Sequence, residues 1–226
     1  MILPVDFYRR PTLDVARDLI GKVLVYQSKS GTTAGAIVEV EAYIGEDDPA
    51  CHAAPGPTVR NAPLYGPPGR AYVYLNYGLH DMMNCVTEPE GQPAAVLIRA
   101  LEPLEGLELM RRRRAKAKWR KGKPPVPDHE LCRGPGNLCR AMGITLEDNK
   151  RPLQRGPLTI HDRGITHPEI IWSQRIGIRV GTEHHWRAIV AGHKSVSGKA
   201  PKHAGTSAPR HPGTQIYGRC LLQVIS

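Results

Sequence analysis

The sequence predicts an α+β fold, a single domain with a curved antiparallel β-sheet core and surrounding helices. Five strand-like segments follow one another in the first half of the chain, helical patterns come after them as a block, and short strand-like pieces return later. Glycine (23) and proline (21) make up nearly a fifth of the 226 residues, which favours short elements joined by many turns over a helical bundle.

Thr12 is placed to cap a short helix over Leu13 to Ile20, with Gly21 as its stop. KVLVYQ and AGAIVEVEAY read as strands joined across the turn SKSGTT. Val38, Val40 and Ala42 alternate with Glu39, Glu41 and Tyr43, the pattern of a half-buried strand. Gly45 to Gly69 reads as loop, with prolines at 49, 55, 57, 63, 67 and 68. AYVYLNY and DMMNCVT are strand-like on either side of Gly78, Leu79 and His80, and AAVLIRAL is short enough to be a buried strand. PLEGLELMRRRRAKAKWRKGK has proline at a helix start and continues in good helix formers, basic on all sides from Arg111 to Lys123. DHELCRGPGNLCRAMGI holds another helix with GPG as a turn at or before its start. PLTI, QRIGIRV and HWRAIVA are strand-like, and the polar stretch after Gly192 reads as a mobile tail. The organisation expected is one domain over 1–197 and a flexible tail over 198–226.

Charge narrows the class. Lys plus Arg number 31 against 21 acids, a formal charge of +10, which suits a polyanionic partner, nucleic acid first and an anionic membrane surface second. No apolar run approaches the roughly 18 residues that span a bilayer, and the first residues lack the pattern of a signal peptide. The five cysteines (51, 85, 132, 139 and 220) contain no C-x-x-C pair, so a disulfide framework or zinc site is not indicated. These features point to a reduced, intracellular protein. Cys132 and Cys139, seven apart, are spaced to share one helix face, which suggests packing.

The residues able to do chemistry gather early in the chain. Five of eight tyrosines (43, 65, 72, 74 and 77) fall close together, while there is one phenylalanine. Each could fill the core; Tyr77, beside Gly78, is placed to be exposed, and exposed rings beside basic residues form a stacking surface for bases. The acids Glu39, Glu41, Glu46, Asp47 and Asp48 could form a metal site, a catalytic pair or a solvated loop. A carboxylate such as Glu41 in a partly dry pocket can activate water. His52 could cap a helix, pair with a carboxylate or line a pocket. Arg99 interrupts an apolar strand and Asn84 lies within MMNCV, so each needs a buried partner or a polar cavity.

Taken together, LIGKVLV, IVEVEAYIGEDDPACH, RNAPLYGPPGRAYVYLNYG with MNCV, AVLIRALEPLEGLELMRRRR and ELCRGPGNLCRAMGI resemble the alkyladenine (3-methyladenine) DNA glycosylase family. RGPLTI, RIGIRV, W-R and V-S continue the likeness in order, over roughly residues 12 to 197. The resemblance implies that Glu41 is the general base for a water attacking C1′ and that Arg99 helps position that water. It implies that Tyr43, His52 and Tyr74 hold a flipped base, that Asn84 disfavours guanine by meeting its exocyclic amino group, and that Ile178 belongs to the pocket floor. Tyr77 matches the residue that wedges into the duplex. Arg60, Arg111, Arg112, Arg113 and Arg114 are candidates for phosphate contacts; for the basic run Arg111 to Lys123 the alternative is a solvated helix face. The sequence departs from the family pattern at Leu64, where a methionine is expected, and after Trp186.

The activity implied is a monofunctional glycosylase. It excises alkylated or deaminated purines from double-stranded DNA and leaves an abasic site, needing no cofactor and no metal. Because no lysine lies in the matched pocket motifs, an imine-forming nucleophile is not expected. The partner is damaged DNA rather than a membrane, the protein a monomer, and its place the nucleoid-containing cytoplasm or a nucleus. Three rivals remain at this point: a non-catalytic nucleic-acid-binding module on the same fold, a metal-dependent hydrolase built on the early acids and His52, and an acyl or formyl transfer domain. The first would need no buried glutamate, the second has no ligand spacing such as H-E-x-x-H, and the third has no nucleophile motif.

Overall fold

The computed structural model describes residues 1–117, 122–167, 169–198 and 205–212. A helical turn, α1 (Val5–Tyr8), and helix α2 (Thr12–Leu19) lead into strands β1 (Val23–Ser28) and β2 (Gly31–Ile44). Strands β3 (Ala71–Asn76), β4 (His80–Val86) and β5 (Ala94–Glu105) follow a long loop. Helices α3 (Leu107–Ala115) and α4 (Pro135–Met142) come next, then the short strands β6 (Leu158–His161), β7 (Ile170–Ser173) and β8 (Arg187–Val190). All strand pairs are antiparallel, in the order β3-β4-β5-β2-β1-β6, and β8 joins β2 to β7. The α+β class is therefore the one observed.

β2 organises the sheet. β5 pairs with it along most of its length, β1 pairs with its first part, and β8 with Glu39, Val40 and Glu41. It is not half-buried: every residue from Thr33 to Ala42 is buried. Val38, Val40 and Ala42 enter the apolar core beneath α2, where Leu13 and Leu19 also lie. Each such leucine contributes about 1.5–3 kcal/mol by leaving water. Glu39 and Glu41 are buried on the other face by compensating charges, so alternation along this strand marks two kinds of interior.

Several local expectations are corrected. The Thr12 side chain does not cap its own helix; its hydroxyl donates to Glu88 Oε1 (2.6 Å), and the same oxygen accepts from the Thr12 backbone N–H (2.6 Å). α2 is thus capped by a carboxylate distant in sequence. The helix expected from Pro103 begins only at Leu107, because β5 runs through Pro103 and Leu104 to Glu105. Pro103 sits at a β-bulge opposite Gly35, where a missing N–H is tolerated. Gly106 makes the turn at φ +74°, and a Cβ there would lie 2.3 Å from the Thr32 carbonyl oxygen. QRIGIRV is irregular rather than a strand, and the strand β7 just before it was not expected.

Cys51, Cys85, Cys132 and Cys139 are buried thiols, and Cys220 lies outside the described residues. Only Cys139 of the 132/139 pair is on α4; Cys132 precedes it and packs against Met110, the sulfur atoms 3.8 Å apart. Part of the segment expected as a tail lies against the domain: Gly205 pairs with Trp172, and His211 Nε2 is 3.0 Å from Glu88. Within the basic run, residues 118–121 lie outside the described residues.

Candidate active site

The side chain of Glu41 has no exposed surface. Its Oε1 accepts from the Ile176 backbone N–H (2.6 Å), and its Oε2 from the Tyr43 hydroxyl (2.8 Å) and Arg99 Nη1 (3.2 Å). A carboxylate has about four acceptor positions, so one stays available for a further donor. Arg99 is fixed from behind, where Glu39 Oε1 accepts from its Nε (2.9 Å) and from Arg187 Nε (2.7 Å). Ser197 donates its N–H to Glu39 Oε2 (2.6 Å). Burial opposes the charge on Arg99, but Glu41 and Glu39 outweigh it and hold the guanidinium protonated.

In front of this network lies a cavity of about 270 Å³. Tyr43, His52, Tyr74, Asn84, Arg99 and Ile178, all singled out in the sequence, border it. Glu41 does not border it; its three partners Tyr43, Arg99 and Ile176 do, so the carboxylate stands one layer behind the wall. The His52 ring meets Tyr74 edge-on at 4.5 Å, and its Nδ1 is 2.9 Å from the Tyr72 hydroxyl. Burial and, secondarily, the charge of Arg60 lower the His52 pKa, favouring the neutral ring. Burial and then the neighbouring Glu41 push the Tyr74 phenol up to about 12, and they push Tyr43 higher still. The Asn84 amide donates to the Tyr72 carbonyl (3.0 Å), which fixes its position in the wall.

Tyr77 stands at the tip of the β3–β4 hairpin at φ +48° with 91% of its surface exposed, and it also reaches the edge of the cavity. Arg60 packs beside that hairpin, donating to the Leu75 carbonyl (3.3 Å).

The arginine run is more structural than the sequence suggested. Arg114 is buried and donates to the carbonyls of Glu130 and Leu131, while Arg113 donates to those of Ala141 and Met142 at the end of α4. Arg111 is paired with Glu108 and Asp128. Only Arg112 of the four is an exposed residue.

Sequence reasoning missed two members of the site. Asp48, which the sequence leaves open to a metal site, a catalytic pair or a solvated loop, is instead buried in a two-pronged pair with Arg175 (2.6 and 2.8 Å). Arg175 in turn lies 4.7 Å over the Tyr43 ring and 5.1 Å over Trp186. Arg175 lies within the stretch read as a strand, which hid it. The irregularity there has a cause: the Ile176 N–H is spent on Glu41, and Gly177 turns at φ +81°.

Residues 6–194 match the family described as methylpurine-DNA glycosylase (MPG). The chain belongs to this family. A protein of Methanocella arvoryzae described as "Putative 3-methyladenine DNA glycosylase" is 48% identical over 204 residues, covering 88% of this chain and 98% of its own. One from Chlorobium phaeobacteroides with the same description is 47% identical over 196 residues, covering 86% and 94%. A third, from Rhodopseudomonas palustris, is 48% identical over 181 residues, covering 80% and 81%. The methylpurine-DNA glycosylase family makes DNA the substrate and base removal the reaction class. Among the described residues no three His, Cys, Asp or Glu side chains are placed to hold a metal ion. No helix among them is long and apolar enough to cross a membrane.

Proposed function

We propose that this protein flips an alkylated or deaminated purine out of duplex DNA and hydrolyses its N-glycosidic bond with a water activated by Glu41. The observation that carries this reading is the placement of Glu41 directly behind the cavity wall, with one acceptor position unused and its charge balanced by Arg99. Extrusion costs a few kcal/mol of unstacking, and Tyr77 at its exposed tip is positioned to fill the vacated space. The flipped base lies between Tyr43 and Tyr74, His52 holds it by stacking and hydrogen bonding, and Asn84 faces the guanine amino position. Alkylation of a ring nitrogen leaves the base electron-poor, attracting it to tyrosine faces and weakening the bond to be broken.

No lysine borders the cavity among the described residues, which supports hydrolysis without an imine and an intact abasic product. The unit performing the reaction is 1–197, closed by Ser197 on Glu39, and it acts as a monomer on one lesion. No step requires a metal or cofactor.

The test uses duplexes carrying hypoxanthine or ethenoadenine, and methylated DNA, in a chelating buffer under single-turnover conditions. Base release should persist in the chelator and fall at least about 10²-fold in Glu41→Gln, with strand breaks appearing only after hot alkali. Binding without release by wild type would favour a non-catalytic module instead.

A further inference from the structure

Tyr43 has a cation on it before any substrate arrives. The Arg175 guanidinium lies 4.7 Å over its ring, has no exposed side-chain surface, and does not border the cavity that Tyr43 borders. It is locked there by Asp48 through two bonds and by the carbonyls of Ala42 (3.0 Å) and Gly181 (3.3 Å). Its Nε is buried without a hydrogen-bond acceptor among the described residues, and the guanidinium also lies 5.1 Å over the Trp186 ring.

A π face attracts a cation because the ring quadrupole is negative above and below the plane. A cation fixed on one face draws that density toward itself and repels a second cation through the ring. On the proposed function, a base stacked on Tyr43 would take the face that Arg175 does not occupy. Purines methylated at N3 or N7, nitrogens that carry no proton to lose, are cationic within the nucleotide, whereas hypoxanthine and ethenoadenine are neutral. Asp48 offsets part of the guanidinium field, yet its oxygens bond the Nη atoms and leave the charge centre above the ring.

We propose that Arg175 is a specificity-determining residue that weakens the pocket's preference for cationic lesions and so broadens the enzyme toward neutral damaged purines. This rests on Tyr43 stacking against the flipped base. Arg175 touches no substrate; it acts through the Tyr43 ring.

The test compares single-turnover release of 3-methyladenine, from a cationic nucleotide, with release of a neutral lesion, hypoxanthine or ethenoadenine. Because both substrates read the same fraction of folded enzyme, their rate ratio is insensitive to lost stability. The double variant Asp48→Asn, Arg175→Gln removes both charges and keeps amide partners for the buried site. Its cationic-to-neutral ratio should rise roughly three- to tenfold, a fraction of a full cation–π contact. Arg175→Lys retains the charge and should leave the ratio near that of wild type. Equal losses on both substrates would make Arg175 purely structural and overturn the inference. So would a wild type that releases only the cationic base, since the ring would then not be detuned. If wild type releases neither base, the glycosylase reading itself fails and this one falls with it.

Discussion

Glu39 and Glu41, two positions apart on β2, are joined through one guanidinium: Arg99 donates from Nε to Glu39 (2.9 Å) and from Nη1 to Glu41 (3.2 Å). Both carboxylates have no exposed surface. Arg187 supplies a second positive charge on Glu39, so two acids face two arginines. β2 delivers both acids to one side because side chains alternate along a strand, and β5 and β8, its neighbours on either edge, deliver the arginines. Glu41 is therefore held in place by a structure built around Glu39.

Glu39→Ala should accordingly act on stability first. The substitution leaves two buried guanidiniums with one remaining carboxylate, and breaking a buried pair from one side typically costs about 3–5 kcal/mol. Urea unfolding should show a loss of that order, whereas Glu41→Gln, which preserves shape and most hydrogen bonds, should lose less. A loss below about 1 kcal/mol in Glu39→Ala would mean the network behaves like an exposed ion pair.

His52 makes stability depend on pH. Burial first, then Arg60, lowers its folded pKa below the unfolded value of about 6.5. Below that pH the unfolded chain binds a proton that the folded ring still refuses. The contribution is thus fully present above pH 6.5 and declines as pH falls toward the folded value. Wild type should lose more stability between pH 7.5 and pH 5.5 than His52→Gln does, by urea unfolding at both values. Equal losses would show that the ring takes up its proton at the same pH folded and unfolded.

Much of this site was legible because its residues are anomalous where they stand. Glu41 and Arg99 are charges inside apolar strands, and Asn84 is an amide inside another; each demanded a partner, and Arg99 and Asn84 border one cavity with Glu41 directly behind Arg99. The fold class followed from the order of strands and helices. What escaped was set by distance along the chain. Asp48 looks like any loop acid until Arg175, 127 positions later, is packed on it. Thr12 looks like a helix cap, but Glu88 takes both its hydroxyl and its own backbone N–H from across the fold. The strand reading of QRIGIRV failed because Glu41 takes the Ile176 N–H that a neighbouring strand would have used.

The arginines of α3 should separate by burial. Arg114→Ala removes donors from two carbonyls, the shorter contact being to Leu131 at 2.6 Å. Leaving buried acceptors unmet costs about 1–3 kcal/mol, so its melting temperature should fall. Its salt dependence of DNA binding should stay unchanged, since a buried guanidinium neutralises no phosphate. A decrease in the salt slope of about one, the signature of one lost phosphate contact, would return Arg114 to the DNA-binding surface.

Tyr77 presents the reverse case. The residue is 91% exposed, so truncation removes almost no packing, and surface changes of this kind stay within about 0.5 kcal/mol. Alanine tolerates φ +48° no better than tyrosine, so the backbone term also cancels. Stability of Tyr77→Ala should therefore match wild type. If the ring fills the space left by a flipped nucleotide, its loss removes base–aromatic stacking worth roughly 1–3 kcal/mol. That corresponds to about a five- to 150-fold loss in affinity for lesion-containing duplex. Single-stranded DNA carrying the same lesion has no stack to refill and should lose much less. The comparison of duplex with single strand therefore identifies a wedge, because a residue that merely touches DNA would weaken both alike.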